Sequence, residues 1–521
     1  MRLFDGQAGR RLDLLAVKKY GLSVLQMMEA AGGGVARIVA GELAACKGRR
    51  VSVIAGKGAN GGDGFVAARH LMSAGVDVKV FCTEPINNIR GEASVNAAIW
   101  MKMGGMVTRL STKRDIERHS AEIRSSDVIV DAIFGTGLSS EVKGVVAGII
   151  DLINGSQARV VAVDIPSGID ASTGGRLGPA VEADVTAAMA VPKIGSYLYP
   201  GRACSGRVEV VGIGLSIDLL DGVATGNVAL ITDALVSATL RPRRVDGHKG
   251  SFGHLLVIAG SAGMTGAAYM SGVAAMRTGA GLVTIALPES LNAVMEAKTT
   301  EVMTRPLPEA AGQRLGLVSY GAIIDALAGK TAAIIGPGLC TSDDTAELLS
   351  RLIKIIGKPL LIDASGLDAI STKLHLLKRL KCEIVLTPHP GEAGRLLGIS
   401  ADEVQSDRVG AAWAIAKKSG AVVVLKGAGT VIADSSGRVF INQTGNPGLA
   451  TAGTGDVLSG MIGAFLSQGY GAMEAAYCGV HIHGICADEI KKSGVEAGMM
   501  ATDLLPVIPR VLGGLSVGAG K

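Results

Sequence analysis

A single aspartate where a glycine-rich loop meets an apolar helix is the sharpest chemical signal in this chain. In Asn446-Pro447-Gly448-Leu449-Ala450-Thr451-Ala452-Gly453-Thr454-Gly455-Asp456-Val457-Leu458-Ser459-Gly460, backbone N–H groups of Gly453–Gly455 are placed to neutralise a phosphate. Asp456 would then stand beside the reacting group as a base. The plainer alternative is a helix cap, with Asp456 only satisfying N–H groups. Upstream, Lys426-Gly427-Ala428-Gly429-Thr430 ends a β-branched run in a turn that can admit a nucleotide, and Pro388-His389-Pro390 fixes an imidazole at the end of another. Gly260–Ala268 and Gly336-Pro337-Gly338 close two further runs in the same manner.

The first half carries a comparable set. Val51–Ala55 leads straight into Gly56-Lys57-Gly58-Ala59-Asn60-Gly61-Gly62-Asp63-Gly64, ahead of a helical pattern. Free N–H groups at such a junction, on the positive end of the helix dipole, make an anion site. The frame fits neither a Walker A loop nor GxGxxG, and a tight turn capped by Asp63 is the alternative. Three more loops follow: Asp131-Ala132-Ile133-Phe134-Gly135-Thr136-Gly137-Leu138, Asp164-Ile165-Pro166-Ser167-Gly168-Ile169-Asp170 and Val191-Pro192-Lys193-Ile194-Gly195. Asp131, Asp164 and Ser167 would converge as oxygen ligands with a candidate base, a donor set for a hard cation and not for zinc.

Parallel strands must position these groups. Short apolar runs alternate with helical patterns: Val51–Ala55, Val76–Cys82, Asp127–Phe134, Arg159–Ile165 and Val208–Ile213, then His254–Ala259, Leu282–Leu287, Ala332–Ile335, Pro359–Asp363, Glu383–Thr387, Ala421–Lys426 and Thr430–Ala433. Such runs predict parallel sheets covered by helices on both faces, with ligands beyond the C-terminal strand ends. The pattern breaks near 216–250, where the basic stretch Arg241–Lys249 reads as a linker or the start of a second domain. Two tandem α/β domains are expected, 1–220 and 221–521.

Composition agrees with an enzyme of this kind. Glycine supplies 74 of 521 residues, twice the usual share of roughly 7%, with no three-residue period that would mean collagen. A net charge of +5 and 3% aromatics offer neither a basic stripe nor a stacking platform for nucleic acid. Seven cysteines without a CxxC pair read as reduced thiols of a cytoplasmic protein. The N-terminus, with Arg2, Asp5, Arg10, Arg11 and Asp13, has no signal-peptide pattern. The uncharged stretch Val457–Met473 is interrupted by Ser459, Gly460, Gly463, Ser467, Gln468 and Gly469, so a buried helix is predicted and no membrane span.

In this order NGGDG, VDAIFGTG, VDIPSGID and VPKIG resemble the YjeF N-terminal domain, the NAD(P)H-hydrate epimerase family, over roughly residues 1–215. The resemblance implies a Rossmann-like three-layer domain that interconverts the R and S epimers of hydrated NADH or NADPH. It implies a dinucleotide site on Ala59, Asn60, Gly61, Gly62 and Asp63 and on Gly135, Thr136, Gly137, Leu138, Ser139, Ser140 and Glu141. Potassium would be held by Asn60, Asp131 and Ser167. Asp164 would contact the hydrate with Lys193 close by, and a carboxylate beside an ammonium can trade a proton in a desolvated pocket. The family usually has asparagine where this chain has Ala30 and Ala59, which implies a weaker epimerase.

In the second half GSAGMTGAA, GPGL, TPHPGE, KGAGT and NPGLATAGTGDVLSG resemble the YjeF C-terminal domain, the ribokinase-like, ADP-dependent NAD(P)H-hydrate dehydratases, over about residues 225–515. Carried over, Gly263, Gly338 and His389 contact the hydrate, Lys426–Thr430 and Gly455 hold ADP, and Asp456 addresses the hydrate with Mg²⁺ present. The family commonly reads Asp-Ala-Asp-Ala-Leu-Asn where this chain has Asp363-Ala364-Ser365-Gly366-Leu367-Asp368. Together the halves imply a homo-oligomeric, bifunctional repair enzyme that yields AMP and phosphate. A ribokinase-type small-molecule kinase with an accessory domain, and a non-catalytic N-terminal binding module, are the alternatives.

Overall fold

The computed structural model describes residues 1–216, 219 and 226–517, and the boundary expected at 220/221 lies outside them. The chain divides into two compact units, Arg2–Val228 and a second formed by Ala229 onward with Met1. The basic stretch 241–249 therefore belongs to the second unit, between the helix Asp233–Thr239 and the strand His254–Ile258, and does not link the units.

In the first unit β1 (Arg50–Ala55), β2 (Asp77–Cys82), β3 (Val107–Arg109), β4 (Val128–Ala132), β5 (Arg159–Val163), β6 (Val185–Met189) and β7 (Arg207–Val211) form one sheet in the order β3-β2-β1-β4-β5-β6-β7. Every pairing is parallel. Alternate residues of the same strands feed two cores. Val51, Val53, Val128 and Val130 pack with Val35 and Val39 of the helix Val24–Cys46. Ile54, Ile129, Val160 and Ala162 pack with Ile149, Ile150 and Ile153 of the helix Gly144–Asn154. Burial on both faces is why these strands read as unbroken apolar runs. The strand order reverses between β1 and β4, where open α/β sheets gather their ligands.

The helix Ala59–Ser73 starts hard against the end of β1, and Gly61 permits it: a Cβ there would lie 1.9 Å from the Gly56 carbonyl oxygen. The N-terminal segment is also tied in. Phe4 N–H donates to the Pro192 carbonyl (3.0 Å) and Ile194 N–H to that of Phe4 (2.9 Å). This pairing delivers the helix Ala8–Tyr20, whose Leu12 and Ala16 pack with Met27, Ala31 and Val191.

The other sheet holds β8 (Asn227–Leu230, which spans the division at Val228/Ala229), β9 (His254–Ile258), β10 (Leu282–Pro288), β11 (Met303–Leu307), β12 (Ala332–Ile335), β13 (Leu360–Ile362), β14 (Ile384–Leu386), β15 (Val422–Leu425), β16 (Val431–Ala433) and β17 (Arg438–Ile441), in the order β11-β10-β9-β12-β13-β14-β15-β16-β17-β8. The sheet is parallel from β11 to β15 and antiparallel across β15-β16-β17, which corrects the all-parallel expectation. The stretch Lys426–Thr430 is too short for a crossover helix, so the chain can only fold back on itself. The predicted buried helix is the helix Thr454–Ser467, which breaks at Gln468–Gly471 before a second one, Ala472–Lys492. Val457, Met461, Ile462 and Phe465 put it in the core with Val257, Ile334, Leu361 and Val424. Among the described residues no helix is long and apolar enough to cross a membrane.

Candidate active sites

At the C-terminal ends of β1, β4 and β5 lies a cavity of about 630 Å³ lined by Ala59, Asn60, Asp63, Gly135, Thr136, Gly137, Leu138, Ser139, Ser140, Asp164 and Lys193, among others. Lys193 is 1% exposed; its ammonium pairs with the Asp164 carboxylate and donates to the Met189 carbonyl (2.8 Å). Met189 N–H donates in turn to Asp164 Oδ1 (3.1 Å). Asp164 and Ala190, both on the cavity wall, have φ of +69° and +57°. Left-handed backbone at two non-glycine residues costs energy, and such strain collects at functional sites. Burial, with the charges of Asp164 and Asp13 added, pushes the Asp63 carboxyl well above its ordinary value against the pull of Lys193. The cavity thus offers carboxyl groups in unlike environments around one ammonium, the arrangement proton transfer requires.

Asn60, on the cavity wall, meets the fully buried Asp131 and Ser167, which are not on that wall, around the backbone of Phe134. Asp131 is fully buried and accepts from Ser167 Oγ (2.6 Å), Ser167 N–H (2.8 Å) and Ile133 N–H (3.2 Å). Ser167 Oγ accepts from Phe134 N–H (2.8 Å), and Asn60 Nδ2 donates to the Phe134 carbonyl (3.0 Å). Burial raises the Asp131 carboxyl to about 6 despite the hydrogen bonds that oppose it. A buried carboxylate ringed by amide, hydroxyl and carbonyl oxygens fits a hard monovalent cation, whose charge would offset the cost of burying it.

Not every residue of the expected set reaches the cavity wall. Gly61 and Gly62 are packed against Gly56 and Met28. Glu141 is turned to solvent and pairs with Lys143 (2.8 Å). Ala59 lines the cavity, whereas Ala30 packs on the apolar cluster around Phe4 and Leu12, so only Ala59 takes an amide from the wall. Sequence reasoning missed Arg10 and Asp13, which enter from the helix Ala8–Tyr20. No motif surrounds them, because the Phe4–Pro192–Ile194 pairing that brings them in is long-range.

In the second unit the loops after β9 and β12 are locked together, with Gly260 N–H donating to the Pro337 carbonyl (2.9 Å) and Ser261 Oγ to that of Gly338 (2.8 Å). Gly263 and Gly338 sit in these loops with φ of +78° and +64°. The N-cap of the helix Thr454–Ser467 is Gly453 at φ +92°, a conformation that comes at little cost only for glycine, and no side chain caps the helix there. The capping alternative for Asp456 is not realised, since its carboxyl has no hydrogen-bond partner among the described residues. Burial, then the charge of Asp363, raises that carboxyl to about 7 while Lys426 pulls the other way.

Lys426 points inward. Its Nζ lies 2.7 Å from Asp363 and 3.9 Å from Glu392, and Ser459 Oγ donates to the other oxygen of Asp363 (2.6 Å). Burial opposes ionisation of Asp363, yet Lys426 and Ser459 together hold it below the ordinary value. The ammonium is thus committed within the protein, which leaves the backbone of Gly427, Ala428, Gly429 and Thr430 as the part of the expected nucleotide loop not engaged by it. That backbone is braced by the buried Arg408, whose Nη2 donates to the carbonyls of Leu425 (3.0 Å), Lys426 (3.2 Å) and Gly429 (3.5 Å). His389 caps the helix Pro390–Leu397, its Nδ1 accepting from Gly391 (3.0 Å) and Glu392 (3.3 Å) N–H. Ser365 is turned to the Leu339 carbonyl and Asp368 pairs with Arg395 (2.7 Å).

Residues 24–195 match the family model described as YjeF-related protein N-terminus, and 255–510 match that of NAD(P)H-hydrate dehydratase. A bifunctional NAD(P)H-hydrate repair enzyme of Moorella thermoacetica is 41% identical over 508 residues, 96% of this chain and 95% of its own. One of Escherichia coli is 34% identical over 509 residues, 96% of this chain and 92% of its own. An ADP/ATP-dependent NAD(P)H-hydrate dehydratase of Bacillus subtilis, co-crystallised with ATP and Mg²⁺, is 32% identical and covers 56% of this chain and 99% of its own, with a TM-score of 0.49. With full-length relatives at this level of identity, the chain belongs to the family of bifunctional NAD(P)H-hydrate repair enzymes.

Proposed function

We propose that the first unit exchanges the R and S epimers of hydrated NADH and NADPH at the cavity of Asp164 and Lys193. The second then dehydrates the S epimer at Asp456, consuming ADP and releasing AMP and phosphate. The observation that carries this reading is Asp456: an unpartnered carboxyl, raised to about 7, at the start of a helix. Such a group can take the proton of the ring hydroxyl at neutral pH. The oxygen freed attacks the terminal phosphoryl of ADP and AMP leaves; phosphate then departs with its C–O electron pair while the neighbouring ring carbon gives up a proton to water, and the dihydropyridine double bond reforms. Water is a poor leaving group and phosphate a good one, which makes a kinase-like site suited to a dehydration. N–H groups at the helix start and in Gly427–Thr430 meet the phosphate charge.

In the first unit Asn60, Asp131 and Ser167 would hold potassium, which supplies fixed positive charge beside the dinucleotide. Magnesium would arrive on the nucleotide's phosphates, as it commonly does. Gly263, Gly338 and His389 would face the hydrate. All seven cysteines are unpaired, which supports a cytoplasmic, reducing setting, and a homo-oligomer is the assembly we propose.

The test is recovery of dihydropyridine absorbance from mixed hydrate epimers with ADP and Mg²⁺. The expected result is full recovery by the wild type and a rate lower by about 10²–10⁴-fold for Asp456→Asn. Accumulation of a phosphorylated hydrate without recovery would support the kinase alternative instead.

A further inference from the structure

We propose that Asp13 is the group that gives and takes the proton during epimer exchange. This inference rests on reading the cavity as the epimerase site. As a neutral carboxylic acid Asp13 protonates the departing hydroxyl, and as the resulting carboxylate it accepts a proton from the water that returns on the other face. The steps balance. The ring nitrogen's lone pair becomes the second bond to the adjacent carbon as the C–O bond breaks. The C–O electron pair leaves on oxygen, which Asp13 protonates to water. Return of water reverses each transfer, so no oxidant is needed and no proton is lost.

Three observations point to Asp13. It lines the cavity, projecting from a helix different from those that supply the expected residues. Its carboxyl has no hydrogen-bond or ion-pair partner among the described residues, and the helix is anchored without it, by buried Leu12 and Ala16 and by the Asp5–Arg11 pair (2.8 Å). A half-buried carboxyl that stabilises nothing is a poor structural element and a good reagent. The neighbouring Asp164, by contrast, is committed to Lys193 and to Met189 N–H, so passing its proton in and out would break an ion pair at each turnover. Asp164 suits instead the stabilisation of positive charge on the ring.

The charged groups that line the cavity with Asp13 are Arg10 on its own helix, Lys57 and Glu84 on loops, Asp63 on the helix Ala59–Ser73, and Asp164 with Lys193. Burial first, and the charge of Asp164 second, push the Asp13 carboxyl above its ordinary value, while Lys193 opposes them. Because the acid form begins the cycle, exchange falls as pH rises through that elevated pKa.

The experiment follows exchange of the purified R hydrate by the full chain with ADP omitted, so that dehydration is silent. Thermal unfolding of the full chain, with the transition of the first unit retained, reports folding of each variant. For Asp13→Asn the expected loss of exchange is about 10²–10⁴-fold, with hydrate affinity kept within about threefold and the alkaline fall of the pH profile gone. Asp13→Glu should recover at least about tenfold over the Asn variant. Exchange by Asp13→Asn within about threefold of wild type overturns the proposal, as does loss of the alkaline fall in Asp63→Asn but not in Asp13→Asn. Loss of hydrate binding by both Asp13 variants would assign it a structural role and likewise overturn it. If the wild type does no better than uncatalysed exchange, the epimerase reading itself falls, and Asp13 with it.

Discussion

Asp456 and Lys426 show how a few charges set the chemistry of the second unit. Asp456 is raised from 3.8 to about 7 by burial and by Asp363, so in the proposed role of base it works only once ionised. Dehydration should therefore climb with pH to a plateau just above 7, read from kcat/KM on the S hydrate. The same shift has a stability sign. A carboxyl whose folded pKa exceeds its unfolded one costs the fold stability as pH rises from 3.8 through about 7. Asp456→Asn escapes that cost, so it should melt above the wild type at pH 8, with the gap closing toward pH 4. Lys426 works in the opposite sense, compensating the buried Asp363. Lys426→Met leaves that carboxylate unpaired and should destabilise the unit by about 3–5 kcal/mol in urea unfolding, with Asp363→Asn added in the double variant restoring part of the loss.

At the scale of elements, the strand–loop–helix junctions hold the proposed sites, and most of these junctions were legible. The run Val51–Ala55 followed by five glycines in nine residues announces β1 and the turn into the helix Ala59–Ser73, and the Gly453–Asp456 loop announces the helix Thr454–Ser467. What sequence could not show are the contacts made across the fold. Asp13 is brought to its cavity by contacts distant in sequence, the pairing of Phe4 with Pro192 and Ile194 and the packing of Leu12 and Ala16 on Met27, Ala31 and Val191. Short strands such as β3 and the edge strand β11 lack the apolar continuity that marked the others, for they are half exposed. Arg408 reads as one more helical arginine, yet it holds the carbonyls of Leu425, Lys426 and Gly429 at the loop proposed to take the nucleotide. A lysine ammonium cannot reproduce that fork, so Arg408→Lys should raise KM for ADP by about tenfold with kcat changed far less. An equal fall in kcat would mean general damage and not a loosened loop.

For the whole molecule, the family relationship extends over nearly the full chain, and each unit has its own sheet, core and switch point. Two separate sites acting in sequence on one metabolite make a demanding claim, because variants at either site must fail in different ways. The glycine content that marks the sequence is spent largely at these strand ends, where bare backbone faces the proposed phosphates. The most direct measurement follows the two purified hydrate epimers separately, with ADP and Mg²⁺, for the wild type, Asp164→Asn and Asp456→Asn. Asp164→Asn should consume the S epimer at the wild-type rate and the R epimer only as fast as it epimerises uncatalysed, while Asp456→Asn should restore neither. Equal loss of both epimers in Asp164→Asn, or none in either, would contradict the division of labour between the two units.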